Sequence, residues 1–199
     1  MVVNLLHRIA ANPTVYDWIQ NSVGCDQVFT RLQRQFDATP GRSVLEVGAG
    51  TGLIRPYFPT TTRYIWLDED PMKLEGFRKR RHMDEAILGD ATRICLSDQS
   101  VDDVLCASVT HHIPDPLVAS FFSEFARVAR RRLVFLDPVL NSSLTSKVLW
   151  SLDRGSFPRS ADHLRKLISA SFDIQFDEEF EVRHRYLCCV ATPRKATAG

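Results

Sequence analysis

The stretch Val44-Leu45-Glu46-Val47-Gly48-Ala49-Gly50-Thr51-Gly52 runs an apolar segment straight into a turn with three glycines at alternate positions. Ser43 to Val47 reads as a β-strand, and glycines beyond it permit positive φ angles and let a ligand approach bare main chain. Leu53 to Phe58 reads as a short helical turn and Arg63-Tyr64-Ile65-Trp66-Leu67 as a second strand, so the segment forms a β-α-β unit. The second strand ends in Asp68, 20 residues beyond Gly48, where a carboxylate is placed to accept hydrogen bonds from a ribose diol. Asp68 equally suits capping a helix that begins at Pro71. Glycine turn and acid together predict an adenosine-type cofactor. The dinucleotide fingerprint G-x-G-x-x-G wants a small residue at position 53, but Leu53 stands there and the third glycine, Gly52, comes one residue early, which disfavours a nicotinamide dinucleotide.

Outward from this unit the alternation continues. A helix is expected over Pro71 to Arg80, strands at Glu85 to Leu88 and Asp103 to Ser108, a helix over Asp115 to Arg130 and a strand at Leu133 to Leu136. Parallel neighbours need crossover connections, so the pattern predicts an α/β domain with a mostly parallel sheet and helices on both faces. In the Asp115 helix, Val118, Phe121, Phe122, Phe125 and Val128 recur at three- and four-residue intervals, an apolar stripe that should cover the sheet. A further helix is expected over Ser160 to Ser171 with Ser160 as cap. Phe172 to Val182 and Tyr186 to Thr192 then read as a terminal antiparallel hairpin, joined by Arg183-His184-Arg185. Before the glycine turn, Trp18, Val23, Val28, Leu32 and Phe36 fall at roughly helical intervals, with Gly24 a break. One domain spanning 1–199 is expected: a helical flank over 1–40, a cofactor-binding core over 43–138, a substrate-side insertion over 139–159, and a terminal helix and hairpin over 160–193.

Composition narrows the partners. The 199 residues carry 25 basic and 24 acidic side chains, a net charge of +1, so no global field favours nucleic acid or an anionic membrane. No stretch approaches the roughly 20 apolar residues of a membrane span. Met1 to Trp18 is broken by Asn4, His7, Arg8, Asn12 and Asp17, unlike a secretory signal. Five cysteines, Cys25, Cys95, Cys106, Cys188 and Cys189, show no Cys-x-x-Cys spacing, which argues against a disulfide framework and a zinc site and fits a reducing cytoplasm. The expected partner is small; no metal is expected.

At motif level the chain resembles the class I S-adenosylmethionine-dependent methyltransferases, in the type 11 subgroup that acts on quinones and small molecules. Leu45 to Gly52 resembles their first motif, an acidic-x-Gly-x-Gly-x-Gly turn, and Leu67-Asp68-Glu69-Asp70-Pro71-Met72 resembles the acidic end of their second strand. Gly89-Asp90-Ala91, Ser100-Val101-Asp102-Asp103-Val104, Val109-Thr110-His111-His112-Ile113-Pro114-Asp115 and the Glu124, Arg127, Val128 set resemble later motifs in order. The resemblance covers about residues 43 to 138 and departs at Asp103 and Thr110, where the family prefers apolar residues. It implies a seven-stranded Rossmann-like sheet and S-adenosyl-L-methionine as cofactor. It implies that the Gly48, Ala49, Gly50 and Gly52 backbone receives the methionine part, Asp68 the ribose hydroxyls, and Asp90 with Ala91 the adenine. Glu46, Glu69 and Ser108 are carried over as further cofactor-binding positions. A small-molecule or lipid-like methyl acceptor follows; a nicotinamide oxidoreductase or a non-catalytic cofactor-binding partner protein are the rival readings.

His111 and His112 stand just past the fourth strand, on the rim where open α/β sheets bind ligands. Either suits a general base toward an acceptor hydroxyl, or a hydrogen bond that fixes the turn before Pro114. Asp137 at the end of the fifth strand faces the acceptor or terminates the strand. Arg154 and Arg159 clamp an anionic group or are solvated. The runs Arg78-Lys79-Arg80-Arg81 and Arg130-Arg131-Arg132 are expected at helix carboxyl ends, offsetting the dipole. Phe157, Trp150 and Trp18 line an apolar pocket or join the core.

Overall fold

The computed structural model describes residues 25–36, 41–81, 83–141, 150, 157–182 and 184–194. Seven strands form one sheet: β1 (Ser43–Val47), β2 (Arg63–Asp68), β3 (Glu85–Leu88), β4 (Val101–Ala107), β5 (Ala129–Pro138), β6 (Phe172–Val182) and β7 (His184–Pro193). Their order is β3-β2-β1-β4-β5-β7-β6. The first five pair in parallel, while β7 pairs antiparallel with both β5 and β6. The chain thus reverses direction across the sheet between β1 and β4, and that switch point opens the crevice in which such sheets bind ligands.

Each strand alternates its side chains between two cores. Leu45, Val47, Ile65, Leu67, Val104 and Phe135 face one layer, closed by Phe121, Phe122 and Phe125 of α3 (Asp115–Val128) and by Leu164 and Ile168 of α4 (Ala161–Ser169). Val44, Tyr64, Trp66, Leu105, Val134 and Leu136 face the other, closed by Val28 and Leu32 of α1 (Cys25–Gln33) and by Phe77 of α2 (Pro71–Arg80). The caps follow the local chemistry. Asp70, not Asp68, caps α2 by accepting the Met72 N–H at 2.8 Å, and Ser160 caps α4 by accepting the His163 N–H at 3.3 Å.

Five expectations shift. The segment expected as a helical turn over Leu53 to Phe58 is a 3₁₀ turn at Arg55–Tyr57. β4 begins at Val101 rather than Asp103, which leaves the buried Asp103 inside the strand opposite Arg132. α3 stops at Val128, because Ala129 already pairs with Val101 of β4. Arg130-Arg131-Arg132 therefore belong to β5, where Arg130 bonds Asp102 at 2.7 Å and Arg132 bonds Asp103 at 3.0 Å, in place of offsetting a helix dipole. The hairpin is tighter than expected, with Val182 already paired to His184. The chain before Cys25 and most of the 139–159 insertion, with Trp18, Val23, Gly24 and Arg154, lie outside the described residues.

Among the described residues the sheet ends at β3 on one side and at β6 on the other. β3 contributes four residues, and β6 carries a charged row in which Arg165 of α4 bonds Asp177 at 2.7 Å and Glu179 at 2.9 Å. Cys106, Cys188 and Cys189 are buried thiols, as apolar runs imply, and burial pushes the latter two up to about 12. Among the described residues no helix is long and apolar enough to cross a membrane.

Candidate active site

The parallel strands deliver the glycine turn, Asp68, the Gly89-Asp90-Ala91 turn and Ser108 to one rim of the sheet. The turn is held from three sides. The Ala49 N–H donates to the Leu67 carbonyl at 3.0 Å, the Gly50 N–H donates to Asp68 Oδ2 at 2.8 Å, and the Trp66 indole donates to the Gly50 carbonyl at 2.8 Å. Gly48, at φ 66°, lies against the segment after β4: a Cβ there would come within 2.3 Å of Val109 Cγ2. Gly52, at φ 76°, leaves no room for one either, since Phe77 Cδ2 would be 2.5 Å away. The spacing of these glycines therefore serves the packing beneath the turn as well as the main-chain conformation.

Asp68 is the hinge of the arrangement. Its second oxygen, Oδ1, accepts the Asp70 N–H at 3.0 Å, and its carbonyl accepts the Gly89 N–H at 3.0 Å, which brings the Asp90 turn beside it. A carboxylate oxygen has a second acceptor direction, so a carboxylate aimed by two main-chain donors can still take hydroxyls of a sugar. Asp90 is exposed, and its carboxylate is held below the usual range by the Thr92 N–H and hydroxyl, each 2.7 Å away. Glu69 is exposed on the same rim. Half-exposed main chain at Gly48 and Gly50 beside a pre-aimed carboxylate is a set that fits a nucleoside carrying a small charged side chain.

Glu46 is buried near the end of β1, two residues before the glycine turn. It points from β1 into the core, where it accepts the Tyr64 hydroxyl. Burial pushes its carboxyl up to about 8, against the opposing pull of that hydrogen bond.

On the β4–β5 side the two histidines part. His111 is buried and its Nδ1 is 2.7 Å from Asp137 Oδ1, with the imidazole edge-on to Trp150 at 5.6 Å between ring centroids. Burial raises the Asp137 carboxyl above its usual range while His111 pulls it down, and Asp137 Oδ2 meets no hydrogen-bond donor among the described residues. His112 is exposed and tilts against His111 at 4.2 Å. Arg159 is neither clamp nor solvated. It is buried, and its guanidinium donates to the Thr110 carbonyl at 2.6 Å, the Ile113 carbonyl at 2.8 Å and Asp115 Oδ1 at 2.5 Å, pinning the 3₁₀ turn Thr110–His112. The Phe157 N–H adds a 3.0 Å bond to the His111 carbonyl. Trp150 and Phe157 are half-buried along this wall.

Sequence reasoning missed the Asp137–His111 pair and the role of Arg159, both of which join residues far apart in the chain. It also missed Ser108's main chain, a left-handed non-glycine residue at φ 58° that no residue pattern announces.

Sheet order, switch point and glycine–acid rim define a Rossmann-like nucleoside-binding domain. Residues 45–135 match the family model described as a methyltransferase domain, and the resemblance to class I S-adenosylmethionine-dependent methyltransferases holds in sequence and in fold. An uncharacterized methyltransferase of Mycobacterium sp. (strain JLS) is 30% identical over 100 residues, which cover 49% of this chain and 39% of that protein. The chain thus matches well under half the length of that relative. A SAM-dependent methyltransferase from Aquifex aeolicus superimposes with a TM-score of 0.66 at 17% identity, covering 83% of this chain and 89% of that one. The [4+2]-cyclase SpnF superimposes with a TM-score of 0.72 at 13% identity, covering 86% and 81%. The cofactor that goes with the matched domain is S-adenosylmethionine, and the half-exposed glycine turn facing Asp68 fits it.

Proposed function

We propose that this protein transfers a methyl group from S-adenosylmethionine to a small-molecule or lipid-like acceptor. The observation that carries this reading is the Asp68 carboxylate, fixed by the Gly50 and Asp70 N–H groups beside half-exposed glycine main chain. In this reading Gly48, Ala49, Gly50 and Gly52 cradle the amino-acid part, Asp68 and Glu69 meet the ribose, and Asp90 with Ala91 meets the adenine. When bound, the cofactor would supply to an acceptor lone pair an activated methyl group whose leaving group is the neutral sulfide. The chain's own contribution is alignment and water exclusion, worth on the order of 7–11 kcal/mol when both partners are held in register. An acceptor hydroxyl must also lose its proton. In this reading exposed His112 takes it, its ring packed against that of His111, which in turn bonds Asp137. The near-balanced charge supports an acceptor that is not a nucleic acid.

The test is a calorimetric titration with S-adenosylhomocysteine and, separately, NADH, followed by methyl-labelled cofactor with fractionated cell extract. Binding of the first alone and label transferred to an extractable small molecule are expected. Tight NADH binding without S-adenosylhomocysteine binding overturns the reading. A second reading, another reaction on a cofactor-binding fold, is favoured by the likeness to the cyclase, because fold does not fix chemistry; cofactor binding with no label transferred to any fraction selects it.

A further inference from the structure

Two non-glycine residues hold a positive φ, Gln99 at 49° and Ser108 at 58°. They bracket β4. Gln99 stands in the polar turn before the strand, at the end of the sheet away from the glycine rim, with its N–H on the Arg127 carbonyl at 2.8 Å. Ser108 stands after the strand, at the switch point. Cys106 pairs with Val47 of β1, so Ser108, two residues on, reaches the level of the glycine turn, and its neighbour Val109 fills the space a Cβ on Gly48 would take.

A serine adopts this conformation at a cost that glycine does not pay, and such strain persists only where the surroundings over-determine it. They do so here. The Ser108 N–H is tied to the Leu136 carbonyl at 2.8 Å, the Val109 carbonyl accepts the His112 N–H at 2.9 Å, and Arg159 holds the Thr110 carbonyl. The side chain gains nothing from this within the protein: Ser108 is exposed, and among the described residues its hydroxyl makes no hydrogen bond. A strained, rigidly mounted residue with an uncommitted donor–acceptor group at the mouth of the crevice is a ligand-facing group. In the proposed reading the glycine turn, Asp68 and the Asp90 turn meet the cofactor, which leaves Ser108 to the acceptor.

We infer that Ser108 binds the acceptor, its hydroxyl hydrogen-bonding the protonated oxygen or nitrogen that becomes methylated and holding it beside the methyl donor. The inference rests on the methyltransferase reading and refines it, because the resemblance alone counts Ser108 among the cofactor contacts.

Two cofactor analogues separate the roles without a known acceptor. S-adenosylhomocysteine lacks the methyl group, while sinefungin carries an amine in its place and so presents a hydrogen-bond donor where the acceptor atom approaches. Calorimetric titration of the wild type, Ser108→Ala and Ser108→Gly with each analogue is the experiment, accompanied by thermal melting. Both variants are expected to weaken sinefungin about tenfold, the size of one bond to a charged group, while S-adenosylhomocysteine stays within about twofold. Ser108→Gly is also expected to melt above the wild type, which separates the lost hydroxyl from a damaged main chain and keeps the test open if the alanine variant folds poorly. Unchanged preference between the analogues in both variants overturns the inference and leaves the methyltransferase reading standing. Equal weakening of both analogues returns Ser108 to the cofactor and overturns it too. A wild type that binds neither analogue removes the parent reading, and this one with it.

Discussion

Replacing Gly48 by alanine tests the packing of the glycine turn, and its cost can be built from two contributions. A left-handed alanine costs about 1–2 kcal/mol relative to glycine. The new Cβ also lies 2.3 Å from Val109 Cγ2 and 3.1 Å from Cγ1, an overlap that must push the β4–α3 connection aside. Overpacking of this kind costs about 1–3 kcal/mol, so Gly48→Ala should lose about 2–5 kcal/mol in total. Gly41 provides the internal control, because it has φ 80° but nothing within 4 Å of its would-be Cβ, and Gly41→Ala should lose the first contribution alone. Urea unfolding at unchanged m-value measures both. Val109→Ala removes the two colliding methyls, so the double variant Gly48→Ala, Val109→Ala should be more stable than the sum of the singles, by more than about 0.5 kcal/mol. Equal losses at Gly41 and Gly48, or an additive double variant, would refute the reasoning that the turn is seated on Val109.

Asp68→Ala removes the carboxylate that links the Gly50 and Asp70 N–H groups, and should weaken S-adenosylhomocysteine binding about 10- to 100-fold by calorimetry while the protein stays folded. Glu46→Gln probes proton linkage: the folded carboxyl keeps its proton to about pH 8 whereas the unfolded one releases it near 4.5, so the folded state binds the extra proton between those values. The stability Glu46 contributes is therefore full below the lower value and falls as pH rises to the upper, at about 1.4 kcal/mol per pH unit. Wild-type stability minus that of the glutamine variant should descend from pH 5 to 8 and then level; a flat difference shows that Glu46 is ionised throughout. His112→Ala should lower methyl transfer to a hydroxyl acceptor about 10²- to 10⁴-fold at pH 7 with cofactor affinity retained, and transfer unchanged in rate dismisses it as the base.

How much of this was legible depended on how local the cause was. β1 and the centre of β2 are buried and read as mainly apolar runs, interrupted in β1 by Glu46, and the Phe121, Phe122, Phe125 stripe reads as a helix because its spacing is set within fourteen residues. Asp68 was visible through its distance from the glycines. The end of α3 was not, because Arg130 and Arg132 look like a cationic helix terminus until Asp102 and Asp103 are placed on the neighbouring strand. One hint was present: Asp103, which departs from the family's apolar preference, has its complement in the arginines of β5. The burial of Arg159 depends on residues 157–159 lying against the 3₁₀ turn, and the Asp137–His111 contact on the end of β5 meeting that turn, and no spacing within either segment encodes that. Ser108 illustrates the remaining limit, because its conformation is held by a bond to β5 and by the seating of Val109 against Gly48 rather than by its own residue type.

Among the described residues β6 is a terminal strand, and its charges bear on whether a second chain can pair with it. A long unpaired strand invites a second chain to dock by main-chain bonding, yet here the intruding strand would face Asp173, Asp177, Glu179 and Glu181 from its twin, while Arg165 and Arg185 hold two of those acids in place. Like charges stacked at strand spacing repel, and a four-residue β3 offers too little ladder on the opposite side. Among the described residues the sheet is thus bordered by a charged strand on one side and a short one on the other, and both features disfavour the addition of a further strand.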